Sequence, residues 1–108
     1  MREYFQFFSA KDTASLAKMF AKEIVLMDWD NRSEGRDDVL NEVNRIFASV
    51  ETIDITLISF FIGLHNSFAA HISISLDGQE AINVIDTIKF DYDGKIIMIN
   101  AFKFIDFL

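Results

Sequence analysis

Two Asp-Gly pairs, Asp77-Gly78 and Asp93-Gly94, divide the second half of the chain into stretches that alternate apolar and polar residues. Asp-Gly supplies the positive φ angles that both centres of a type I′ hairpin turn require. With a further turn at Leu64-His65-Asn66, these pairs bound four strands, near 53–62, 68–76, 80–90 and 95–105. Consecutive hairpins make a meander, and hence an antiparallel sheet. Alternation assigns the faces. In the second strand Phe68, Ala70, Ile72, Ile74 and Leu76 oppose Ala69, His71, Ser73 and Ser75. In the third, Ile82, Val84, Asp86, Ile88 and Phe90 share one side. The last strand is apolar on both sides, with Ile97, Ile99 and Ala101 facing one way and Ile96, Met98, Phe102 and Phe104 the other. One side packs on helices. The other also needs cover, and a partner subunit is the simplest source, so a homodimer is expected.

The first half supplies the helices. Residues 2–9 place Tyr4, Phe7 and Phe8 on one helical face. Asp12 suits the N-cap of a second helix with Leu16, Met19 and Phe20 on its apolar side. Residues 23–30 then alternate as a strand, Ile24, Leu26, Asp28 and Asp30 on one side and Val25, Met27 and Trp29 on the other. Asn31 to Gly35 reads as a polar loop. A third helix opens on Asp37 and Asp38, where the helix dipole favours anions, and carries the stripe Val39, Leu40, Val43, Ile46, Phe47 and Val50. The expectation is an α+β fold of order α-α-β-α-β-β-β-β. Three helices pack on a strongly curved antiparallel sheet and enclose an apolar pocket.

The 108 residues fit a single domain over 1–108. Cysteine is absent, which removes disulfides and thiolate metal sites. A net charge of −7 argues against nucleic acid and anionic membrane as partners. No apolar run approaches the ~20 residues of a membrane span, and Glu3 stands where a signal peptide would begin its apolar core. The expected location is therefore the cytoplasm. No Gly-rich phosphate loop and no G-x-S-x-G elbow occur. His65 and His71 are the only histidines and lack ligand spacing, so neither a metal nor a cofactor is expected. Either remains a candidate acid or base, or a surface residue.

The order and spacing of several short stretches resemble the nuclear transport factor 2-like superfamily. These are Ser9-Ala10-Lys11-Asp12, Phe20 to Val25, Asp28, Gly35-Arg36-Asp37, and Val84 to Asp91 followed by Asp93 to Ile96. The resemblance spans nearly the whole chain. It implies a cone-shaped α+β barrel with a ligand pocket, and often a homodimer packed sheet to sheet. Ketosteroid isomerases of that superfamily carry a Tyr on the first helix, an Asp ending the first strand and an Asp on a later strand. The corresponding residues are Tyr4, Asp28 and Asp86. The resemblance implies Asp28 as base, with Tyr4 and a protonated Asp86 as oxyanion donors. The residues agree in part, because both aspartates share strand faces with apolar neighbours. A carboxylate so placed is either buried with a partner or sits at a cavity wall, where burial disfavours its ionised form. Two functions follow. One is proton transfer on a small apolar carbonyl compound, as an isomerase, dehydratase or cyclase. The other is a non-catalytic ligand-binding or dimerisation module with the same pocket.

Overall fold

The computed structural model describes residues 1–104. Helices α1, α2 and α3 span Arg2–Ser9, Thr13–Met19 and Arg36–Ser49; strands β1 to β6 span Phe20–Met27, Arg32–Glu34, Ile53–Ile62, Ser67–Leu76, Ile82–Phe90 and Ile96–Lys103. The expected order holds with one addition, the short β2 inside the stretch read as a loop. Phe20, expected on the apolar side of α2, instead opens β1 and is buried there. The last strand stops at Lys103, and the end expected for it at Ile105 lies outside the described residues.

The sheet runs β2-β1-β6-β5-β4-β3. β3 to β6 form the antiparallel meander. β1 lies parallel to β6, so the sheet is mixed and not purely antiparallel. Hairpin logic pairs only consecutive strands and is silent on where β1 docks. The sheet is also open, with β2 and β3 as free edges, and it is not strongly curled. That corrects the expected cone-shaped, strongly curved form. The central β4–β5 ladder pairs without a register shift from Ser67↔Lys89 to Ile74↔Ile82, and an unbroken ladder twists but does not fold over.

Bulges do alter the faces. Across β5–β6 the register slips so that Phe90 opposes Ile96 while Lys89 opposes Met98. Ile96 therefore turns inward with Ile99, at 0% and 1% exposure, where plain alternation put it outside with Met98. The turns follow their chemistry. Asp77 and Gly78 both have positive φ, 54° and 69°, as a type I′ turn needs. The Asp93-Gly94 turn differs, because only Gly94 is left-handed (φ 80°) and the Asp91 carboxylate accepts from the Asp93 and Lys95 N–H groups at 2.9 Å.

The helices cover one face of the sheet. Leu16, Ile24, Val39, Val43, Phe47, Ile88, Ile96 and Ile99 form the centre of the core. Asp12 caps α2, accepting from the Ser15 N–H at 3.1 Å. The Phe8 and Phe47 rings meet edge-on at 5.0 Å and brace α1 against α3. The Lys11 ammonium donates to the Val50 carbonyl just past α3. Among the described residues no helix is long and apolar enough to cross a membrane.

Candidate functional site

Between α1, α3 and the inner face of the sheet lies a cavity of about 310 Å³. Ile72, Ile74, Val84 and Ile99 supply much of its apolar wall, and among the described residues Phe5 and Phe8 are the only phenylalanines that line it. Most of the twelve phenylalanines therefore lie elsewhere. All three residues singled out from the sequence, Tyr4, Asp28 and Asp86, line this one space.

Asp86 sits on the inner face of β5, 7% exposed, as the face Ile82 to Phe90 foretold. Its neighbours across the ladder are Ala70 on β4 and Ala101 on β6. With a methyl group on either side, the carboxyl has no polar neighbour across the ladder, and Ala101 lines the cavity beside it. Among the described residues no protein group hydrogen-bonds this side chain. Burial alone pushes its pKa up to about 7, since no cation compensates the lost hydration.

Tyr4 reaches the same space from α1 and is 5% exposed. Burial holds its phenol well above the usual tyrosine range, and the Asp86 charge adds to the effect. The influence runs one way because the phenol stays neutral while Asp86 titrates. Both groups can thus carry a proton near neutrality, and both can donate to a ligand oxygen.

Asp28 departs from its expected setting. β1 ends at Met27, so Asp28 lies in the β1–β2 loop and is half-buried. Its Oδ1 accepts from the backbone N–H groups of Asp30 at 2.8 Å and Asn31 at 2.7 Å. This local pattern reverses the chain into β2 and leaves Oδ2 without a protein partner among the described residues. Because the strand stops early, the alternation that placed Trp29 on the far side does not apply. Trp29 lines the cavity, as do Asp30 and Asn31. The Lys103 ammonium lies 5.9 Å from the centroid of the Trp29 ring.

Sequence reasoning missed Arg45 and Ser49, which α3 brings to the mouth. Arg45 donates through Nε to Glu42 Oε2 at 2.9 Å and through a second nitrogen to Oε1. The Glu42 pair chiefly raises its pKa, with smaller contributions from Asp28 and Asp30. A lone Arg on the polar side of an amphipathic helix gives no sequence signal of this role. Neither histidine lines the cavity. His71 lies on the outer face, 3.1 Å from Asn83 Oδ1 and stacked near Phe104, and His65 occupies a tight turn. Among the described residues no cluster of three or more His, Asp or Glu could hold a metal ion.

Comparison with known proteins places this geometry. The profile of the SnoaL-like domain family matches residues 1–99. The chain belongs to that family. The SnoaL-like fold here, part of the nuclear transport factor 2-like superfamily, recurs widely among solved structures. A SnoaL-like protein of unknown function from Burkholderia thailandensis superposes with a TM-score of 0.84 at 14% identity, covering 95% of this chain and 90% of that one. A provisionally named polyketide cyclase from Sinorhizobium meliloti gives 0.81 at 17%, covering 91% and 88%. A provisionally named ketosteroid isomerase from Kribbella flavida gives 0.80 at 18%, covering 99% and 76%. At these identities the likeness concerns the fold. No curated protein matches this SnoaL-like chain in sequence.

Proposed function

We propose that the cavity binds a small, mainly apolar carbonyl compound and that the chain moves a proton on it, in the manner of an isomerase, dehydratase or cyclase. One observation carries this reading. A phenol and a buried carboxyl held up to about 7 stand with Asp28 around one apolar cavity. In the proposed mechanism the ligand oxygen sits beside Ala101 and accepts from Tyr4 and neutral Asp86. Negative charge developing on that oxygen strengthens both bonds in a site with little water. Asp28 takes the proton through Oδ2, while the backbone bonds to Oδ1 hold the carboxylate in place. The cavity volume equals about ten waters at ~30 Å³ each, which suits a monocyclic or bicyclic compound.

The second reading is a binding module without chemistry. It is favoured by the loop-forming bonds of Asp28, which give that residue a structural reason to be present. Deuterium wash-in at the α-carbon of 2-tetralone, followed by NMR, separates the two. Exchange accelerated by wild type but not by Asp28→Asn supports catalysis. Tight binding without accelerated exchange supports the module.

The same reading places a second copy on the outer sheet face. Phe61, Met98, Phe102 and Phe104 stand there at 61%, 39%, 54% and 46% exposure. Apolar surface of this kind on a sheet face is what an isologous homodimer covers.

A further inference from the structure

A second hollow, of about 350 Å³, lies between α1 and the edge strand β3. Arg2, Gln6, Ser9 and Thr56 supply its polar lining, and among the described residues Arg2 is its only charged side chain. Two residues, Phe5 and Ile55, line both this hollow and the main cavity. Phe5 is 5% exposed and meets the Tyr4 ring edge-on at 5.1 Å, so it stands next to the group at the heart of the main cavity. Ile55 projects from the inner face of β3 and is half-buried. Neither side chain makes a hydrogen bond, so shortening either one orphans no polar group.

We propose that Phe5 and Ile55 form a partition that sets the length of ligand the chain accepts, and that the second hollow is a latent outer half of the site, able to take a carboxylate tail at Arg2 once that partition is shortened. The inference rests on the main cavity being a ligand site. Charge decides which end of an amphiphile goes where. The mouth of the main cavity carries Asp28 and Asp30, and its one cation among the described residues, Arg45, is already paired with Glu42. An anionic end is repelled there. Arg2 makes no ion pair among the described residues, and its planar guanidinium suits a carboxylate. A neutral ring with an oxygen toward Tyr4 and Asp86 and an acidic tail toward Arg2 satisfies both ends.

Calorimetric titration with 4-alkylphenols of increasing chain length tests the partition, with Trp29, the single tryptophan, as a fluorescent check. In wild type, affinity rises about fourfold per methylene until the cavity is full, and then falls. In Phe5→Leu and Ile55→Ala the break moves to longer chains. Ile55 is only half-buried, so its variant keeps the test open if Phe5 variants fold poorly. ω-(4-Hydroxyphenyl)alkanoates then test the tail. In Ile55→Ala they gain about tenfold over the matching alkylphenol, the worth of a charge-assisted hydrogen bond, and Arg2→Gln removes that gain. A break unmoved in folded variants overturns the partition. A moved break with no dependence on Arg2 overturns the carboxylate assignment. Wild type that binds no alkylphenol of any length overturns the cavity as a ligand site, and the partition with it.

Discussion

Replacing Asp86 by Asn removes one titration from the core, and its effect on stability has a sign that separates two roles for the residue. In the unfolded chain the carboxyl ionises near 3.8, whereas burial delays this to about 7 in the folded protein. Between those values the folded state holds a proton that the unfolded state has released, so stability falls as pH rises. The slope is ~1.4 kcal/mol per pH unit over about three units, a total of roughly 4 kcal/mol that is fully lost above about 7. Acidification from 7.5 toward 4.5, a range chosen to bracket that window, restores most of it. Asp12 and Glu42 have lowered pKa values and act in the opposite sense, losing stability as pH falls, but both proteins share them. The difference between wild type and Asp86→Asn therefore isolates the one group. Urea melts across this range are expected to show wild type losing stability relative to the variant as pH rises, with the variant equal or more stable near neutrality. A flat difference refutes the buried, uncompensated carboxyl. A variant that is clearly weaker at neutral pH refutes it more strongly, since that outcome requires an ionised Asp86 held by donors.

Asp28→Asn keeps an Oδ1 to accept from Asp30 and Asn31, so its melting should match wild type while accelerated exchange falls by about 10²–10⁴; full-rate exchange in the variant would move the base elsewhere. Met98→Glu puts a charge in the middle of the apolar outer face and should convert a dimer to monomer at micromolar concentration; sedimentation showing wild type already monomeric removes the second copy from that face. Asp77→Ala loses two bonds, from the Glu51 N–H at 2.7 Å and the Thr52 N–H at 2.9 Å, and strains a left-handed backbone at φ 54°. It should cost ~2–4 kcal/mol in urea melts, while Asp77→Asn retains most of the stability; equal melts for Asp77→Ala and wild type would show that this turn does not anchor β3.

What could be read from the residues depended on whether the information was local. The β5 face from Ile82 to Phe90 was legible because period-two alternation needs no knowledge of neighbouring strands, and Asp86 lies where that face puts it. The parallel docking of β1 on β6 was not legible, since it joins elements about 75 residues apart (Phe20↔Ile96) that no turn connects. Ile96 was misplaced because a bulge shifts parity by one, and nothing in Lys95-Ile96-Ile97-Met98 announces it. Trp29 was misplaced for a related reason. Strand parity was carried past Met27, where Asp28 already turns the backbone through its own side chain. The same distinction explains the site. Tyr4, Asp28 and Asp86 are each legible alone, yet what leaves Asp86 without a polar neighbour across either ladder is the pair of alanines flanking it. Ala70 and Ala101 are thirty-one positions apart (101 minus 70), and only the register of two separate ladders sets them beside one carboxyl. Of the two, Ala101 lines the cavity, and a larger residue there would narrow the space beside Asp86. Neither alanine carries chemistry, so no motif selects them, and the carboxyl stays uncompensated because its two nearest neighbours across the sheet offer it neither a charge nor a hydrogen bond.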